Sequence, residues 1–123
     1  IPVYENDISH LISINNALEC NEIVCIPADR RSQSGRLVSV KILGKQAELP
    51  MGPFIIIKRR KIPVICVFVM KDSLYCYHVY HYLIHVDDNT TPEIIAQRYA
   101  DRISEMLLKY PHQWFNYYDF WVF

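Results

Sequence analysis

The order of helix-like and strand-like segments predicts an α/β domain, a mixed and mostly parallel sheet with helices packed on it. Three observations carry that expectation. Apolar residues recur at helical spacing in separated stretches, the longest over 90–110. Short β-rich runs lie between them. The strongest of these, "IPVICVFVM" at 62–70, is apolar almost throughout, as expected of a strand covered on both faces.

Residues 7–20, "DISHLISINNALEC", place Ile8, Leu11, Ile12, Ala17 and Leu18 on one side of a helix behind an Asn6 or Asp7 cap. "EIVCIPAD" at 22–29 reads as a strand that stops at Pro27 and delivers Asp29 and Arg30 past its end, before the polar loop "RRSQSG". "RLVSVKIL" at 36–43 is the next strand, after which Gly44 and Lys45 turn the chain towards "ELPMGPF". Pro53 suits a first helical turn, so "FIIIKRRK" predicts a helix whose basic residues complement its carbonyl end. The run 62–70, a turn at Lys71-Asp72-Ser73 and "LYCYHVYHYLIHV" at 74–86 predict a hairpin. Thr90 with Glu93 forms a capping box and Pro92 lies in the first turn. Ile95, Tyr99, Ile103, Met106 and Tyr110 then make one stripe up to a stop at Pro111.

Composition narrows the function classes. The 123 residues are 51% hydrophobic, enough for one core, and a single domain over 1–123 is expected. Thirteen basic and 13 acidic residues cancel, which removes any global electrostatic reason to expect a nucleic acid partner. Cys20, Cys25, Cys66 and Cys76 form no CxxC pair and three lie in apolar runs, so free thiols and a reducing compartment are expected. The chain opens on Ile1 with no signal-peptide zones, which reads as a piece of something longer. No apolar run reaches the roughly 18 residues that span a bilayer, so membrane contact is expected through upstream segments.

Several constellations have ordinary explanations. Cys76, His78, His81 and His85 include zinc-ligand types, but strand alternation sets His78 opposite His81 and His85, and no metal is expected. Lys58-Arg59-Arg60-Lys61 reads as a solvated helix end before it reads as an RNA patch. The glycines at 35, 44 and 52 fit no phosphate-cradling motif and no nucleophile elbow is present, so neither a cofactor nor a complete catalytic set is expected. Asp29-Arg30-Arg31 stands out. An arginine beyond a strand end can fork onto phosphate or carboxylate, and the competing explanation is a structural ion pair.

Three segments in order carry a resemblance. "NEIVCIPADRR" at 21–31 is similar to a strand ending in Asp-Arg. "LGKQAELPMGPFIIIKRRKIPVICVFVMK" at 43–71 is similar to a turn, a Pro-x-Gly-Pro helix start and a Pro-Val strand. "LLKYPHQWFNYYDFW" at 107–121 is similar to a terminal helix followed by His-Pro-x-Gln-Trp. Together they resemble the C-terminal half of the bacterial lipid A biosynthesis acyltransferases, the lauroyl and myristoyl transferases of the lysophospholipid acyltransferase superfamily. The chain departs from that pattern in two ways. It has no His-x4-Asp or His-x4-Glu signature, and it ends on "WFNYYDFW" where many members carry Trp-x-Trp and basic residues.

The resemblance implies acyl transfer from an acyl carrier protein or coenzyme A thioester to a lipid hydroxyl, at the cytoplasmic face of the bacterial inner membrane. It also implies that the catalytic part of the domain precedes this chain. On that view Asp29, Arg30 and Arg31 hold the acceptor's anionic group, Pro63 and Val64 shape the site wall, and Gly52 opens a helix whose free amides serve an anion or a cap. The rival expectation is a non-catalytic acyltransferase-like binding or assembly module. The aromatic end, with Trp114, Phe115, Phe120 and Trp121, is expected to fold back as core or cleft wall rather than anchor in a membrane, because Asn116 and Asp119 interrupt it.

Overall fold

A computed structural model describes residues 8–30 and 35–122. The expected Asn6 or Asp7 cap and Arg31 lie outside the described residues. The elements run α1 (Ile8–Glu19), β1 (Leu37–Ile42), β2 (Lys45–Pro50), α2 (Gly52–Arg60), β3 (Val64–Lys71), β4 (Tyr77–Ile84), α3 (Pro92–Lys109) and a 3₁₀ turn over Pro111–Gln113.

The architecture is mixed α/β, but the mostly parallel sheet is not what forms. The described strands make two antiparallel pairs, β1 with β2 and β3 with β4. Connection length is the reason. Parallel neighbours need a crossover of a dozen or more residues, whereas Leu43-Gly44 and residues 72–76 are hairpin turns. Leu43 (φ 51°) and Gly44 (φ 78°) both adopt the left-handed conformation that a tight two-residue hairpin requires. The turn therefore opens a strand, β2, where composition alone predicts a connector. Its Ala47 and Leu49 are fully buried while Lys45 and Gln46 face solvent.

The expected strand at 22–29 does not form. The segment is irregular, with Ile23, Cys25 and Ile26 exposed, and no strand pairs with it among the described residues. Its β-rich composition has no ladder to join, and Pro27 removes one amide that a ladder would use.

Helix α3 is the centre of the molecule. Ile95, Ala96, Ala100, Ile103, Met106 and Leu107 are its buried residues, with Ala96 and Ala100 one turn apart where bulk would hold a neighbour off. This stripe packs against β1 and α2, in one core cluster with Val38, Val40 and Ile42 of β1, Ala47 and Leu49 of β2, and Phe54 of α2. The cap differs from expectation by one residue. Thr91 is the N-cap, its hydroxyl accepting from the Ile94 amide, while Thr90 is buried and donates its hydroxyl to Asp87 Oδ1 at 2.6 Å. Thr90 thus closes the turn before the helix rather than the helix itself.

The tail returns to the core as expected. Trp121 pairs with Ala47 of β2 in an antiparallel bridge, and the Val122 amide donates to Gln46 O at 3.0 Å. Phe120 is buried, and the Trp114 ring meets it edge-on at 4.7 Å. Phe115 is the exception. It is 73% exposed because the extended chain at Trp114 turns alternate side chains to opposite sides.

Candidate functional site

Ala28 packs on the core and brings half-buried Asp29 with it, and the Tyr118 hydroxyl donates to Asp29 O at 3.4 Å. Arg30 follows at the surface. Among the described residues it makes no ion pair, so the structural pairing with Asp29 or Glu22 that competes with a binding role does not occur there.

Two of the segments expected to build the site, α2 and β3, meet at Tyr99. Its ring stands 6.2 Å from Phe54 of α2 and is stacked on Phe68 of β3 at 6.3 Å. Burial pushes the Tyr99 phenol well above its ordinary range, and the neighbouring negative charge of Asp29 pushes it further in the same direction. Tyr99 therefore stays neutral where it packs between Phe54 of α2 and Phe68 of β3. The stripe in α3 marked it as a core residue; nothing local in the sequence marked it as the junction.

Gly52 is exposed at the first position of α2, where Met51 supplies no side-chain cap. It borders a groove of about 440 Å³ lined by Asn15, Ile55, Ile56, Arg59 and Arg60. Arg60 is pinned in that groove, since its Nε and one terminal nitrogen donate to Asn15 Oδ1 and the latter also reaches Glu19 at 3.0 Å. The rest of the basic run is partly committed as well. Lys58 donates to the carbonyls of Asp87 and Asp88, and Lys61 is paired with the Asp88 carboxylate. Arg59 remains exposed and, among the described residues, without an ion pair.

Pro63 is exposed just ahead of β3, and Val64, the first residue of β3, is half-buried against the core. Phe54 of α2 and Phe68 of β3 thus meet at Tyr99. The β3–β4 register pairs His78 with Met70 and His81 with Val67, which turns the two imidazoles to opposite faces. Among the described residues no three His, Cys, Asp or Glu side chains are gathered as a metal site. No helix among them is long and apolar enough to cross a membrane.

The described residues thus form a mixed α/β unit in which Arg30 stands exposed beyond a core-anchored loop. A family model for bacterial lipid A biosynthesis acyltransferases matches residues 4–121, nearly the whole chain, and the chain belongs to that family. Members are acyltransferases that take an acyl donor and a lipid acceptor. No curated protein sequence matches the chain.

Proposed function

We infer that this chain serves the transfer of a fatty acyl group from an acyl carrier protein or coenzyme A thioester to a hydroxyl of a lipid A precursor or a related membrane lipid. The family match over residues 4–121 is the observation that carries this reading. The chemistry needs a general base: a histidine takes the acceptor hydroxyl proton as that oxygen attacks the thioester carbonyl, and a carboxylate orients the imidazole and stabilises its charged form. That pair is not in these 123 residues. Five positions after His10, His78, His81, His85 and His112 stand Asn15, Leu83, Val86, Thr90 and Tyr117, never an acid.

The chain is then the C-terminal part of an acyltransferase domain acting at the cytoplasmic face of the bacterial inner membrane, and its role is binding. Arg30 offers a guanidinium that no described residue has already claimed, Asp29 and Arg31 flank it, and Val64 and Pro63 give the wall its shape. Gly52 presents first-turn amides beside the arginines of the groove.

The test is an acyl-transfer assay with acyl-coenzyme A or acyl carrier protein as donor. The 123 residues alone give no transfer, and the same residues joined to a preceding segment bearing His-x4-Asp or His-x4-Glu do. Turnover by the 123 residues alone contradicts the reading.

A further inference from the structure

Strand β3 is apolar on both of its faces. On one side Cys66 is buried and Phe68 packs on Tyr99 of α3. Ile65, Val67 and Val69 point the other way, and Val79 and Leu83 stand opposite two of them in the ladder. Each of these five side chains is more than half exposed. Monomeric chains rarely leave so continuous an apolar face in water. A strand that is apolar on both faces has the composition of a sheet interior, covered above and below.

The same strand has an open edge. Cys76 O accepts from the Asp72 amide at 2.9 Å, so by alternation the backbone groups of Met70, Phe68 and Cys66 turn towards β4. Those of Lys71, Val69, Val67 and Ile65 turn away from it. Gln113 occupies the Lys71 position, accepting from its amide and donating to its carbonyl, each at 2.7 Å. Along Ile65, Val67 and Val69 no described strand reaches the edge. β4 has the opposite character, since His78 and His81 break its apolar pattern with polar side chains, as in a strand that ends a sheet. The missing neighbour therefore belongs beside β3, and it stops at the Gln113 clasp.

We propose that the open edge and bare outer face of β3 receive the segment that carries the histidine and its acid. A strand of that segment pairs with Ile65, Val67 and Val69, and its apolar side chains cover the outer face. The choice of occupant rests on the acyl-transfer reading, which needs that pair from outside these 123 residues. A second copy brings to this edge no group that the chain lacks. Main-chain pairing sets the register of such a joint, and alternate side chains make it specific. It also brings the incoming segment alongside Val64, the wall residue that opens β3, so docking assembles the base against the binding residues.

The experiment is hydrogen exchange, read residue by residue, on an acyltransferase that carries these residues together with its His-x4-Asp or His-x4-Glu segment. The Ile65, Val67 and Val69 amides are expected to exchange about a hundredfold or more slowly than those of Val79 and His81, on the far edge of β4. Val67→Asp, which sets a charge in the covered face, lowers the melting temperature by about 5 °C or more. Leu74→Asp, at an exposed position of the hairpin turn, leaves it unchanged. Fast exchange at the three amides overturns the proposal, as does a Val67→Asp protein no less stable than Leu74→Asp. Protection that disappears on dilution, together with a dimer in sedimentation, overturns it too and makes a second copy the occupant. Acyl transfer by the same protein separates the two readings. Activity with fast amides removes this docking alone, and protected amides without activity remove the acyl-transfer reading alone.

Discussion

The side-chain amide of Gln97 holds the backbone of Lys41 at both of its polar groups: the Lys41 amide donates to Oε1 at 2.9 Å, and Nε2 donates to Lys41 O at 3.0 Å. Helix α3 thereby occupies the free edge of β1, and the Leu43 amide donating to Ser104 Oγ at 3.1 Å extends the seal by one position. An unpaired strand edge invites pairing with another chain, and here a helix covers it.

Gln97→Met removes both contacts and is expected to lower stability by about 1–2 kcal/mol, two modest hydrogen bonds at a partly solvated site. Gln97→Glu is expected to be worse. It keeps one acceptor but turns the donor into an oxygen facing both Lys41 O and the Asp101 carboxylate that Nε2 now reaches at 2.8 Å. Thermal melting of the two variants side by side gives the order.

Phe120→Ala should cost about 3–5 kcal/mol, because the ring is buried and its removal leaves a cavity between Trp114 and Trp121. Phe115→Ala, at an exposed ring, should change the melting temperature little. Denaturant titration followed by tryptophan fluorescence reads both variants.

Thiol chemistry should separate the cysteines. Cys20, Cys25 and Cys76 are exposed, whereas burial pushes the Cys66 thiol up to about 11 against the opposing pull of Arg102. A colorimetric disulfide reagent should titrate three thiols quickly at neutral pH and the fourth only on unfolding. Fast reaction of all four contradicts this packing.

Acid stability should depend on the turn before α3. The Thr90 hydroxyl holds the Asp87 carboxyl below its ordinary value of 3.8, and Lys61 does the same for Asp88. Depressed folded values mean that these carboxylates stabilise the fold above the unfolded pKa and cease to do so as pH falls through the folded one. Stability should therefore decline below about pH 4. In Asp87→Asn, melting temperatures measured across that range should decline less steeply than in the wild-type chain.

Much of this was readable in the sequence where the cause is local. The α3 stripe, the Pro53 helix start and the β3–β4 hairpin each depend on neighbours a few residues apart, and each forms. The missed elements depend on distance or on conformations that composition does not announce. β2 shows only Ala47 and Leu49 as inward apolar residues, and it exists because Leu43 accepts a left-handed turn. The run 22–29 has strand composition without a partner to pair with. Tyr99 joins α2 and β3, and Gln97 and Gln113 seal strand edges, through contacts between segments far apart in the chain.

The most direct measurement is the kinetics of Arg30→Ala in an acyltransferase that carries these residues together with its His-x4-Asp or His-x4-Glu segment. Losing one charge-assisted contact is worth about 1.5–3 kcal/mol. The account therefore predicts a fall in kcat/KM of roughly ten- to a hundredfold for a phosphorylated acceptor, with the KM for the acyl donor unchanged. Arg30→Lys recovers only part, since an ammonium does not reproduce the planar fork. An equal fall in kcat/KM for phosphorylated and dephosphorylated acceptors, accompanied by a lower melting temperature, contradicts the binding role and makes Arg30 a structural residue.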